Sequence, residues 1–183
     1  MKLPDITLLP LQPDDREQFI LDNQGAFKYG AQQEFGMRDE RVEEGEEVIS
    51  RRTIEDSIDG EKAESYRIVL NGQKMGGVVL RIDKEEAHGE LELLFVLPEV
   101  HSKGIGQAAW KAVEAMHPEI KVWETITPYF EKRNIHFYVN RCGFHIVEFW
   151  NKYQHGPAIP EAEEGKWSMD DEMFVFRKVI LDK

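Results

Sequence analysis

Seventeen residues in the middle of the chain, Leu94 to Trp110, constrain the fold most. An apolar run, Leu94-Phe95-Val96-Leu97, meets Pro98 and a polar stretch from Glu99 to Lys103, which opens through Gly104 and Gly106 into Gln107-Ala108-Ala109-Trp110. The pattern predicts a strand, a loop and the first turn of a helix. The leading N–H groups of a helix lack intrahelical partners and sit at the positive end of its dipole, and glycines without a Cβ let an anion approach them. The loop is therefore expected to hold a phosphate, and a pyrophosphate-bearing cofactor is the expected ligand.

Two cofactor classes use such loops. Gly104-x-Gly106-x-x-Ala109 matches a dinucleotide fingerprint, and Glu124 lies near the spacing of about 20 residues at which an acid would hold a ribose. In that fold, however, the strand feeds the first glycine almost directly. Here Leu97 to Lys103 intervene and the preceding segments read as hairpins, so the context points elsewhere.

His101-Ser102-Lys103-Gly104-Ile105-Gly106, after Phe95-Val96-Leu97-Pro98, resembles the acyl-coenzyme A loop of the GCN5-related N-acetyltransferases. That loop reads Arg or Gln-x-x-Gly-x-Gly or Ala, after a strand ending in an apolar-Val-x-Pro step. His101 stands where the family usually has Arg or Gln, a departure that leaves the backbone N–H groups untouched. Arg133-Asn134-Ile135-His136-Phe137-Tyr138, then Cys142-Gly143-Phe144, resembles the family's late helix and following strand. In many members the Tyr lies four residues before this Gly. Tyr138 lies five before Gly143, which implies one extra residue in the helix.

The resemblance implies an acetyl-coenzyme A co-substrate, no metal, and direct transfer of the acetyl group to a primary amine of a small molecule or a protein. It places Leu94, Phe95, Val96, His101, Ser102, Lys103, Gly104, Ile105, Gly106, Gln107 and Asn134 against the cofactor, with Val96 N–H polarising the thioester carbonyl where two central strands splay beside a bulge. Glu90 and Glu92 share strand parity and hence a face. Either could take the proton of an amine whose pKa is near 10, roughly. Glu90 matches the family's better-known base, and Glu92 is one pleat nearer the thioester. Tyr138 would protonate the departing thiolate, with Asn134 one helical turn earlier on the same side. A non-catalytic acyl-coenzyme A sensor or scaffold would keep the same loop; Glu90, Glu92 and Tyr138 favour the enzyme.

The remaining chain predicts an α+β or mixed α/β domain over residues 1–183, with a mostly antiparallel sheet of six to seven strands. Expected strands are 6–11, 66–70, 74–82 (joined to the previous one by Asn71-Gly72), 90–97 after a turn at His88-Gly89, 122–127, 144–150 and 173–180. A helix is expected from Pro13, the polar segment from Gln32 to Gly60 suggests one or two more carrying Val48, Ile49, Ile54 and Ile58, and another spans Gly104 to about Met116. A net charge of −12 argues against nucleic acid and suits a cationic acceptor, while Lys103 and Lys111 remain to meet cofactor phosphates. Cys142 is the only cysteine, so no internal disulfide forms. Pro4 and Asp5 interrupt any signal-like stretch and no run reaches transmembrane length. A cytoplasmic monomer or homodimer, bound to no membrane, is expected.

Overall fold

Seven strands form one sheet in the order β1-β2-β3-β4-β5-β7-β6. They are β1 (Thr7–Pro10), β2 (Ala63–Leu70), β3 (Gln73–Asp83), β4 (His88–Val96), β5 (Val122–Pro128), β6 (His145–Trp150) and β7 (Met173–Val179). The computed structural model describes residues 2–35, 48–101, 103–129, 131–151, 153–154, 156 and 172–181. Every neighbouring pair is antiparallel except β4 and β5, which run parallel. An antiparallel β3–β4 pair excludes the strand arrangement of a dinucleotide fold, and Glu124 lies inside β5, not at a ribose-holding strand end.

Helices α1 (Arg16–Phe35) and α2 (Arg51–Asp59) cover one face, where Phe19, Ile20 and Ile54 pack on Val79, Leu93 and Phe95. The opposite face receives α3 (Ile105–Met116), whose Trp110 and Val113 meet Val78, Leu80, Trp123 and Phe176. After β5 the chain forms a short α4 (Lys132–His136) that continues into a π-helical turn, Phe137–Arg141. Side chains alternate along each strand, so the two cores arise from one sequence pattern.

Two boundaries differ from the sequence expectation. The turn before β4 is at residues 84–87, not at His88-Gly89, because the Asp83 carboxylate accepts from the Glu85 and Glu86 N–H groups (3.1 and 3.2 Å) and Ala87 takes a φ of 50°. Gly89 serves packing instead: a Cβ there would lie 2.4 Å from Trp123 Cζ3. Val48 and Ile49 precede α2 rather than belonging to it, since Ser50 caps that helix by accepting from Thr53 N–H at 3.0 Å. The acids Glu43, Glu44, Glu46 and Glu47 lie outside the described residues.

A buried ion cluster fastens α1 to the sheet. Arg67 on β2 is 3% exposed; its Nε meets Asp15 at 2.7 Å and its Nη1 meets Asp22 at 2.8 Å. The guanidinium also lies over the Phe19 ring, 5.0 Å from its centroid. The Arg67 hydrogen bond holds the Asp15 carboxyl below its ordinary range against the opposing effect of burial. Lys74 also meets Asp15 at 2.7 Å but is half exposed, so replacing Arg67 removes the one buried cation between Asp15 and Asp22. Arg67→Met is expected to lose about 3–5 kcal/mol in denaturant unfolding, whereas a loss under about 1 kcal/mol would make the cluster an ordinary surface pair.

Candidate active site

The site begins where β4 and β5 part. Only His88, Gly89 and Glu90 pair with β5, opposite Val122, Trp123 and Glu124, and beyond them the strands diverge into a V. Thr125 Oγ1 donates to Leu91 O at 2.9 Å, a side-chain bond at the apex where a ladder bond would otherwise continue. Leu97 N–H bonds Met75 O on β3 at 2.8 Å. By strand alternation Val96 and Leu94 then turn their backbone groups away from β3, into the V.

A bulge shapes the same strand. Leu91 pairs with Leu80 and Leu93 with Val79, leaving Glu92 as the extra residue. The register shift reverses the alternation: Leu91 joins the α3 core, Leu93 and Phe95 the α1–α2 core. Glu92 thus stays on the α2 side next to Glu90, and the bulge lies four residues nearer the apex than the position beside Val96 that the sequence suggested.

Glu92 is held at both oxygens. Arg81 Nη2 meets Oε1 at 2.9 Å, and the Ser57 hydroxyl of α2 donates to Oε2 at 3.3 Å. Burial pushes its carboxyl above the ordinary range, opposed by Arg81 and reinforced by Glu90. Glu90 is more open, 41% exposed against 19% for Glu92, and stands 3.7 Å from Arg81. Its register neighbour Glu124 is pushed up by burial, but bonds from Arg177 (2.7 Å) and His88 (2.9 Å) outweigh this and keep it ionised.

The mouth of the V meets the glycine loop. Gly104 caps α3 with a φ of 75°, and the first helical bond runs from Ala108 N–H to Gly104 O, so the N–H groups of Ile105, Gly106 and Gln107 precede the ladder. A Cβ at Gly106 would lie 3.3 Å from the Phe137 ring and 3.7 Å from Val96 Cγ2, which sets this turn between the end of β4 and the π-helical turn. The Gln107 side chain is engaged elsewhere, donating to Arg141 O at 2.9 Å, so its backbone N–H is what remains for an anion. Lys103 is exposed just before this turn, Lys111 is exposed nearly two turns further along α3, and Ser102 lies outside the described residues.

His101 has a definite role in place of the family's usual Arg or Gln. Its Nε2 donates to Val96 O at 2.8 Å, and its Nδ1 accepts from Arg133 Nη2 at 3.3 Å. Tyr29 of α1 stands edge-on to the ring, 5.1 Å between centroids. The side chain therefore braces the loop against β4, α4 and α1 together. Asn134 lies against the end of β5, its Nδ2 within 3.4 Å of Thr127 Oγ1 and 3.3 Å of Glu131 Oε2.

The extra residue between Tyr138 and Gly143 takes the form of the π-helical turn. Cys142 N–H bonds Phe137 O at 3.0 Å, five residues back. Tyr138 is 8% exposed and packs on Phe144 and Phe176, with its hydroxyl directed to Thr125 at the apex. Burial raises its pKa, so the phenol stays protonated. Cys142 is buried and its thiol is pushed up to about 12, unsuited to a nucleophile. No cluster able to hold a metal occurs among the described residues.

Residues 32–144 match the Acetyltransferase (GNAT) family. The chain belongs to the GNAT acetyltransferase family. It is 40% identical over 183 residues to the uncharacterized protein YrkN of Bacillus subtilis (strain 168), covering 98% of this chain and 96% of the relative. Among solved structures it resembles the ribosomal-protein-S18-alanine N-acetyltransferase of Escherichia coli, with a TM-score of 0.66, 13% identity and 98% and 96% of the two chains covered. It also resembles the PaiA N-acetyltransferase of Thermoplasma acidophilum in complex with coenzyme A, with a TM-score of 0.63, 17% identity and 96% and 99% covered. At these identities the likeness establishes the GNAT fold.

Sequence reasoning missed three residues of this GNAT site: Thr125, which closes the apex, and Ser57 and Arg81, which grip Glu92. The doublet Gly76-Gly77 was a signal for the region, since a Cβ at Gly76 would lie 2.1 Å from Phe95 O and one at Gly77 would meet the Phe19 ring at 2.3 Å. The acceptor is expected at the segment from Gln32 to Gly60 and at the loop after Trp150, of which residues 36–47, 152, 155 and 157–171 lie outside the described residues. No described helix is long and apolar enough to cross a membrane.

Contact with Phe137 complicates substitution at Gly106, so two variants are needed. Gly106→Ala adds only the Cβ, and Gly106→Asp adds the same atom plus a charge. Calorimetric titration with coenzyme A should show Asp binding weaker than Ala by at least tenfold, about 1.4 kcal/mol. Equal affinities would separate this turn from the phosphates.

Proposed function

We propose that the protein transfers the acetyl group of acetyl-coenzyme A to a primary amine by direct attack within the V. The observation that carries this is the open edge of β4: the Leu94 backbone groups and the Val96 N–H point away from β3, between the first turn of α3 at one end and the Glu92 bulge at the other. Pyrophosphate on the N–H groups of Ile105, Gly106 and Gln107 would let the pantetheine arm run down this edge as an added strand, with its thioester near the apex.

Val96 lies at the mouth and its carbonyl is already bonded to His101, whereas Leu94 is two residues nearer the bulge. Leu94 N–H is therefore assigned the thioester carbonyl in place of Val96 N–H. It would donate to the oxygen as negative charge develops there. Glu92 accepts the ammonium proton, directly or through one water, and the neutral nitrogen forms the C–N bond. The C–S bond then breaks, the thiolate takes its proton from Tyr138 at the apex beside Thr125, and the second nitrogen proton passes through water to restore the Tyr138 phenol as the neutral amide forms. Glu90, more exposed, faces the solvent side of the same site with Glu124 next to it. These carboxylates, with a net charge of −12, favour an acceptor that arrives as a cation.

A thiol-release assay with acetyl-coenzyme A across polyamines, amino-sugar amines and lysine peptides tests the reading. Turnover with at least one amine is expected, and Glu92→Gln should lower it about 10²–10⁴-fold without changing coenzyme A affinity. Saturable cofactor binding with no turnover on any amine would instead support a sensor or scaffold. Tyr138→Phe should reduce turnover about tenfold or more, with a stability loss no larger than one hydrogen bond, about 0.5–1.5 kcal/mol. Wild-type turnover in this variant would assign thiolate protonation to water.

A further inference from the structure

Glu92 stands out from the other acids of this face because its position is fixed from three directions. It is the bulged residue of β4, so its backbone cannot shift along the β3 ladder without restoring a regular register. Ser57 approaches from α2 and is itself only 9% exposed; Arg81 approaches from β3, 43% exposed and aligned with the C-terminal end of α2, where a Cβ at Gly60 would lie 3.7 Å from its Nη2. The charged groups facing Glu92 are Arg81 on β3 and Glu90 on β4, the latter within hydrogen-bond reach; α2 contributes only the Ser57 hydroxyl. On the β5 side, Glu124 is the register neighbour of Glu90 and is occupied by His88 and Arg177.

We propose that Ser57 and Arg81 are positioning residues that hold the Glu92 carboxylate ionised and aimed at the acceptor amine, and that Glu90 acts on Glu92 as a neighbouring charge rather than as a second base. This rests on the reading of Glu92 as the base. Two donors occupying one lone pair on each oxygen leave the remaining lone pairs to receive a proton. The like charge of Glu90 opposes the ionised form while Arg81 supports it, so the two neighbours pull the carboxylate in opposite directions.

The signs give the test. A base works only when deprotonated, so the acidic limb of the kcat/KM profile follows the Glu92 carboxyl. Removing a group that favours ionisation moves the limb to higher pH; removing one that opposes it moves the limb to lower pH. With the best amine of the panel, Arg81→Met and Ser57→Ala should both shift the limb upward, lowering kcat/KM about three- to tenfold at a fixed pH on that limb. Arg81→Lys should recover part of the loss. Glu90→Gln should shift the limb downward and raise the rate at the same pH. Coenzyme A affinity, measured alongside, should be unchanged in all four.

An inactive Glu92→Gln together with unshifted limbs in the Arg81 and Ser57 variants would overturn the positioning roles while leaving Glu92 as the base. Full activity in Glu92→Gln would overturn the underlying reading itself. Loss of turnover at every pH in Glu90→Gln would make Glu90 the base and overturn its role as a neighbour.

Discussion

The structure depends on the parting of β4 from β5 after three paired residues. Every other feature of the site is arranged around that gap. Thr125 closes its apex through a side-chain bond, His101 braces its mouth, and α4 with its π-helical turn lies against the β5 side. An unpaired strand edge inside a sheet exposes backbone donors and acceptors that must be satisfied by something. Here that edge leads from the first turn of α3 towards the Glu92 carboxylate, the arrangement on which the proposed path of an extended thioester cofactor rests.

The bulge at Glu92 performs a second task. On a regular strand, residues 91, 93 and 95 would all face one core. The extra residue sends Leu91 to one core and Leu93 with Phe95 to the other, so a single strand helps to build both layers. It also seats a glutamate next to the V apex and under α2, where burial and two fixed donors act on it together. The sheet and the proposed proton acceptor thus share one irregularity, and straightening the strand would lose both.

Much of this is legible in the amino-acid sequence. The glycine loop opening α3, the Asn71-Gly72 hairpin and the family all follow from local patterns that need no tertiary knowledge. The turn before β4 was misplaced because His88-Gly89 looks like a turn, whereas Gly89 is demanded by Trp123, a contact distant in sequence. The resemblance implied a bulge but not its place at Glu92, because Glu90, Glu92 and Leu91, Leu93 alternate in letters as a regular strand does; only the pairing with β3 shows where the register slips. The π-helical turn was half legible, as one residue too many between Tyr138 and Gly143, but its placement follows from packing on Phe144 and Phe176. Ser57 and Arg81 carried no motif, since each acts through Glu92 from a separate element.

The central claim is that the open edge of β4 receives the cofactor. Hydrogen exchange at the Leu94 amide tests it directly, because that N–H points into the V and has no strand partner in the free protein. With saturating acetyl-coenzyme A, exchange at Leu94 should slow by at least about tenfold, alongside the amides of Ile105, Gly106 and Gln107. Protection at the α3 amides with unchanged exchange at Leu94 would mean that the phosphates bind while the acyl arm lies elsewhere, contradicting the account.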